Sequence, residues 1–292
     1  MVSARKSDGA AFADRNERAI TALIGAVFGV FFVVFFNLVG PLQVKSAPVD
    51  GMQVVEFDFS RLVVNWAHYR DLSGRVVSEK NWFSVQAFMW VAFFIGIAEI
   101  WTRRRMLVLE KGIKKKRLLP EDEGTLLTSS DLKPIYQKAR TFSKSLILPS
   151  LIRRLVKEFR KSQSVEKTKG ILDSSLDLYN HQLDLGYTLV RYFVWAIPAL
   201  GFLGTVMGIA EAMGYAGSGA VDPDMLLGPT TQKLAVAFYT TWLGLILTAI
   251  LVLGMSVVQS AEERALNETG EYCLDNLILR LLEQADIDRR ER

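Results

Sequence analysis

The sequence predicts an all-α membrane protein of four transmembrane helices with cytoplasmic helical extensions. Three observations point there. Four apolar stretches, 20–42, 82–101, 189–213 and 234–258, each run about 20 residues or more, enough to cross roughly 30 Å of hydrocarbon as a helix. Half of the 292 residues are apolar and the mean hydropathy is +0.20, high for a soluble chain of this size. Lys and Arg gather in one inter-span segment and are absent from another, as in a multi-pass protein.

Taken in order, residues 1–18 are a polar cytoplasmic segment. The first span, 19–42, follows as a retained anchor: its apolar run is too long for a cleaved signal peptide. Phe28, Phe31, Phe32, Phe35 and Phe36 surround this helix, which suits a lipid-facing periphery, and Gly40-Pro41 ends it. In the connection 43–81, the alternation Val54-Val55-Glu56-Phe57-Asp58-Phe59 predicts a short strand or extended arm. The second span, 82–102, is again bulky, with Trp82, Phe83, Phe88, Trp90, Phe93 and Phe94. Glu99 sits near its end, before Arg103, Arg104 and Arg105. A carboxylate in a span is a functional candidate, but here a structural ion pair with the arginines is favoured.

Segment 103–185 reads as a cytoplasmic helical domain. Pro120 with Glu121-Asp122-Glu123 predicts a turn into a helix, and Leu148-Pro149-Ser150 predicts a break. Leu151, Ile152, Leu155, Val156 and Phe159 then recur at three- and four-residue spacing among basic residues, the pattern of an amphipathic helix. A run from 171 to 185 leads into the third span, 186–213, without a predicted break. The turn 214–231 separates it from the fourth span, 232–258. In the tail, 259–292, Leu274, Leu277, Ile278, Leu281 and Leu282 form one stripe, so the fourth helix is expected to extend well past the membrane.

Charge sets the predicted topology. Segment 103–185 holds nineteen Lys and Arg, including Lys114-Lys115-Lys116-Arg117, whereas 214–231 holds none. The positive-inside rule then places both termini and 103–185 in the cytoplasm, and 43–81 and 214–231 outside. The basic runs lack interleaved aromatics and a recognition motif, so nucleic acid is not expected as a partner, while contact with anionic membrane lipid is. The one cysteine, Cys273, has no internal disulfide partner, and His68 and His181 lie far apart, which argues against a His-based metal site or triad. No nucleophile–base pair, ligand cluster or phosphate loop marks an enzyme, and no cofactor is expected.

The third span carries Gly201, Gly204, Thr205, Gly208 and Ala212 on one helical face, with Pro198 a turn earlier. The fourth carries Ala237, Thr241, Gly244, Thr248 and Met255 on one face, with Tyr239 and Thr240 beside it. Spacing alone leaves two readings open: a close-packed seam between two helices, or a polar surface facing an ion-carrying group. Neither span has an acid in its central stretch; Arg191, Glu211 and Lys233 all lie near span ends. Any titrating carboxylate on an ion path must then come from another polypeptide.

The run Ile-Pro-Ala-Leu-Gly-Phe-Leu-Gly-Thr-Val-Met-Gly-Ile, 197–209, and Ala-Phe-Tyr-Thr-Thr-Trp-Leu-Gly-Leu, 237–245, resemble the paired signatures of the MotA/TolQ/ExbB proton-channel family. The likeness covers about residues 177–259, two motifs in order with a short turn between. The four-span layout is similar to the MotA branch. Val236 stands where the TolQ/ExbB branch carries a glutamate, and Gly254 falls near a late MotA proline. The resemblance implies a homopentameric ring whose last two helices line a pore in the bacterial inner membrane. It implies a dimer of a single-span MotB/TolR/ExbD-like partner inside, with a membrane aspartate that takes up and releases H+ or, alternatively, Na+. Thr205 and Thr241, with Thr240, Thr248 and Tyr239, would line the ion path. Pro198 would flex, and Gly201, Gly204, Gly208, Ala237 and Gly244 would pack. The expected function is the proton-channel or stator subunit of an ion-driven motor. The competing expectation is a non-conducting scaffold that anchors a single-span partner.

Overall fold

In a computed structural model, the protein is described at residues 19–35, 66–70, 76–80, 84–122, 126–143, 146–217 and 223–282. Helices α1 (Ala19–Phe35), α2 (Val85–Lys114), α3 (Leu132–Arg140), α4 (Ile147–Ser162), α5 (Val165–Gly186), α6 (Thr188–Ala216) and α7 (Pro223–Asn276) make up almost all of it. Three helical stretches are long and apolar enough to cross a membrane: Val85–Lys114, Val165–Ala216 and Lys233–Arg280; Ala19–Phe35 is a shorter apolar helix. The expected strand at 54–59 and the first span's end at 36–42 lie outside the described residues, as does Glu123.

An antiparallel hairpin that the sequence reading did not identify joins β1 (Trp66–Arg70) to β2 (Val76–Lys80), with Trp66 opposite Lys80 and Arg70 opposite Val76. The residues between include Asp71, Ser73 and Gly74, a turn-forming composition.

The chain divides into two compact units. The span unit comprises 19–100 and 189–255. Within it α1 lies on α2 through small residues and aromatics: a Cβ on Gly25 would come 2.8 Å from Ala98 Cβ, and the Phe28 and Phe32 rings each sit 5.1 Å from that of Phe94. Helix α2 in turn meets α7 at Met89–Gly244, Gly96–Leu251 and Ile100–Gly254. Residue numbers rise together along these contacts, so α2 and α7 run parallel. On its other side α7 packs on α6. Pro198 lies inside α6 and removes the donor that would serve the carbonyl of Val194, yet the helix continues through it.

The helical unit comprises the described residues of 101–188 and 256–282. Leu132, Ile135 and Ala139 of α3, Leu148, Leu151, Ile152, Leu155, Val156 and Phe159 of α4, and Leu172 of α5 share one apolar core with Tyr272, Cys273, Leu277 and Ile278. The predicted amphipathic face of α4 is this buried face. Two expectations are corrected. Pro149 does not break a helix; it lies in the first turn of α4, where a missing N–H costs nothing. After Pro120, the described Glu121 and Asp122 are not helical, and α3 begins only at Leu132 after the Thr128–Asp131 turn. The run into the third span holds as one helical stretch, Val165–Ala216, with a single turn residue, Tyr187, between α5 and α6.

Long-range polar contacts fix the edges of this unit. The carboxylate of Glu110, on α2, accepts from the backbone N–H of Ile147 and so caps α4, whose own N-cap residue Leu146 offers no side-chain bond. Helix α7 ends at Asn276, and the turn Ile278–Arg280 follows. There Arg280 donates to the carbonyls of Pro120 at 3.1 Å and Glu121 at 3.4 Å, and Leu127 pairs with Leu281. The tail stripe thus packs as core, although its last part is no longer α-helix. Burial pushes the Cys273 thiol up to about 12, so it stays protonated and unreactive at neutral pH.

Candidate functional site

The site is built from the seam between α6 and α7. Gly201, Gly204, Gly208 and Ala212 are all buried, and they face Ala237, Thr240, Thr241 and Gly244. A Cβ on Gly204 would fall 2.7 Å from Thr240 Cβ and Oγ1; one on Gly208 would fall 2.8 Å from Ala237 Cβ. Gly201 and Gly244 approach backbone to backbone, with 3.5 Å from a Cβ on Gly244 to Gly201 Cα. At Gly204 and Gly208 the helices are too close for a Cβ, whereas at Gly201 and Gly244 one would fit only if its neighbours gave way slightly.

That closeness brings two hydroxyls together. Thr205 Oγ1 and Thr241 Oγ1 are hydrogen-bonded to each other. Thr205 Oγ1 also lies 3.0 Å from the Ala237 carbonyl, across the seam, and 3.2 Å from the Gly201 carbonyl in its own helix. Thr241 Oγ1 reaches the same Gly201 carbonyl at 3.3 Å. Two hydroxyl protons are thus shared among four contacts. Both threonines are half-buried, with part of each side chain accessible.

The other singled-out residues fall in distinct places. Thr240 is buried and its hydroxyl donates to its own helix at Ala237, 2.8 Å, so it fills the notch opposite Gly204. Tyr239 is buried beside it. Thr248 lies two turns along from Thr241; its oxygen is buried and makes no hydrogen bond among the described residues. Glu211, near the end of α6, and Lys233, about three turns into α7, form an ion pair at 3.4 Å. Glu99 is buried in the span unit, while Arg104, Arg105 and Arg191 are exposed. Large apolar side chains also stand exposed away from the seam, among them Phe202 and Met213 on α6 and Phe238 and Leu253 on α7.

Arg103 belongs to a cluster the sequence did not reveal. Its guanidinium pairs with Glu262 at 3.3 Å and lies 4.2 Å over the ring centroid of Tyr187, whose hydroxyl donates to the same Glu262 oxygen at 2.8 Å. Gly186 allows this approach: a Cβ there would sit 1.7 Å from Arg103 Nη2. A signal was present in the predicted topology. Spans two and four run toward the same side, so the residues just beyond them, Arg103 and Glu262, emerge at similar depth.

The MotA/TolQ/ExbB proton channel family model matches residues 143–270, a stretch that contains the whole seam and α4 to α6. No curated protein matches the chain. The family match and the apolar helices together make this a multi-pass membrane protein.

Proposed function

Since residues 143–270 form a MotA/TolQ/ExbB proton channel family domain, we propose that this chain is the channel-wall subunit of a proton-driven motor in the bacterial inner membrane. On this reading the four spans 19–42, 82–102, 186–213 and 232–258 place both termini in the cytoplasm. Five copies form a ring, and two helices of a single-span partner with a membrane aspartate pass through its middle.

One observation carries the reading: the half-buried Thr205–Thr241 hydroxyl pair, in two spans without a central acid. A carboxylate in mid-bilayer is costly, by about 3 kcal/mol on insertion scales. A hydroxyl that donates to it recovers about 1.5–3 kcal/mol, the range for bonds to charged groups. The pair can make that donation at small expense. Its two protons already share several acceptors, so redirecting one forfeits at most a single neutral bond, about 0.5–1.5 kcal/mol. The charged partner is therefore held at the threonines and the protonated one is released. The membrane potential supplies about 2.3 kcal/mol per charge per 100 mV, enough to bias such steps and turn ring against partner. The exposed apolar faces of α6 and α7 serve as contacts to neighbouring copies and lipid.

The opposing reading, a non-conducting scaffold, draws on the same pair. Thr205 and Thr241 satisfy each other and the seam carbonyls, as packing alone requires. Proteoliposomes containing this chain and its single-span partner separate the two. Thr241→Ala is expected to assemble at the normal ratio yet lose about 90 % or more of partner-dependent proton flux. Unchanged flux in that variant rejects the channel assignment.

A further inference from the structure

We propose that the helical unit carries a binding site for a phosphate-bearing anion, in the cleft between α3 and α4. This inference does not depend on ion conduction.

The cleft has a volume of about 350 Å³ and is lined by Tyr136 of α3 and Val156, Lys157, Arg160 and Lys161 of α4. That size falls at the small end of the range of ligand pockets, about 300–1,000 Å³. Val156 is fully buried and supplies an apolar floor, and the half-buried Tyr136 adds a hydroxyl and an aromatic face. The remaining lining is cationic, without an acid. Lys133 and Arg140 flank Tyr136 on α3, three residues before and four after it.

Several other cations of the unit are engaged by neighbours. Lys114 pairs with Glu268 at 2.9 Å, Arg117 with Glu121 at 3.0 Å, and Lys138 donates to the Arg117 carbonyl at 2.7 Å. Arg153 donates to the carbonyls of Ala139 and Phe142, and Arg154 lies over the Tyr179 ring. Among the described residues the side chains of Lys157, Arg160 and Lys161 make no ion pair and no hydrogen bond. The acids nearest in sequence do not compensate: Glu158 is half-buried and does not line the cleft, and Asp131 is engaged by Thr128. Like charges three and four residues apart weaken a helix. The helix dipole offsets this for Arg160 and Lys161 in the last turn, but Lys157 lies a turn further back. A ligand with several anionic oxygens would resolve the repulsion. The planar fork of Arg160 suits a bidentate phosphate contact, with Lys157 and Lys161 as flexible point charges. A soluble phosphate compound and a phospholipid headgroup with a terminal phosphate share this chemistry.

The test uses the full chain purified in neutral detergent at about 0.15 M salt, where diffuse attraction is screened. Calorimetric titration with pyrophosphate probes the soluble source; dioctanoyl phosphatidic acid, with dioctanoyl phosphatidylcholine as control, probes the lipid source. Saturable binding of one ligand per chain is expected, weakened about tenfold or more in Arg160→Gln and in Lys157→Gln, and unchanged in Lys114→Gln. Thermal unfolding of each variant establishes that it is folded. Binding of pyrophosphate assigns the soluble source, binding of phosphatidic acid alone the lipid source, and binding of both leaves the tighter as the ligand. Absence of binding by either anion overturns the proposal. So does binding that Arg160→Gln leaves intact, or that Lys114→Gln weakens equally.

Discussion

Replacing Gly204 by alanine tests the seam on which the site depends. The new Cβ is rigid and would sit 2.7 Å from Thr240 Cβ and Oγ1 and 2.8 Å from its Cγ2. Ordinary carbon–carbon contact needs about 3.5–4.0 Å, so the helices must part by about 1 Å. The Thr205–Ala237 bond, 3.0 Å across the seam, would then stretch to about 4 Å and be lost. Overpacking costs about 1–3 kcal/mol, and a hydrogen bond between membrane helices averages about 0.6 kcal/mol. The expected destabilisation is about 2–4 kcal/mol, a shift of about 30- to 1,000-fold in the folding equilibrium. Reversible unfolding by SDS in mixed micelles, followed by tryptophan fluorescence, measures it. Gly214→Ala is the control on the same helix: a Cβ there meets nothing within 4 Å, so a helix-propensity gain of up to about 1 kcal/mol is expected. Adding Thr240→Gly to Gly204→Ala should recover part of the loss. If Gly204→Ala proves as stable as Gly214→Ala, the close seam is wrong, and with it the geometry of the hydroxyl pair.

Two further predictions concern the helical unit, outside the spans. Lys114 holds the Glu268 carboxyl below its ordinary value by a hydrogen bond and by its charge, so the pair's contribution is present above the unfolded pKa of about 4.3 and lost as pH falls through the folded one. Burial raises Glu110 despite the backbone bonds to Ile147 and Leu148, and its sign is opposite: stability is full below the unfolded pKa and declines as pH rises through the folded one. In urea titrations at pH 7, Glu268→Gln should therefore cost at most about 1 kcal/mol and Glu110→Gln should stabilise, with both differences fading toward pH 4. Gly186→Ala should displace the Arg103 guanidinium, the far end of a flexible side chain, and cost about 1–3 kcal/mol. Because both changes strike the same cluster, its cost should not add to that of Arg103→Gln in a double-mutant cycle; additive costs would show that Gly186 and Arg103 act separately.

The spans were legible because a run such as 234–258 can satisfy its backbone in lipid only as a helix. The seam was legible because only small residues recur at the spacing of Gly201, Gly204 and Gly208. The pairing of Thr205 with Thr241 was not, since side-chain pairing depends on the axial register of α6 and α7, which a sequence does not state. The same holds for Arg103, Tyr187 and Glu262: their separations of 75 to 159 residues leave no local pattern. Pro149 misled because proline ends a helix interior but suits a first turn, and the local sequence alone did not say which. The hairpin left little signal, because Trp66–Arg70 and Val76–Lys80 are only five residues each and neither alternates cleanly between apolar and polar.

Cys273 has a practical consequence. It is the chain's one cysteine, it is fully buried, and its thiol stays protonated far above neutral pH. Toward a water-soluble maleimide the natural protein should behave as a cysteine-free background. A single thiol engineered at each terminus or between α6 and α7 would then be labelled from one side of the membrane only, which turns sidedness into a yes-or-no readout without first stripping the chain of its own sulfur.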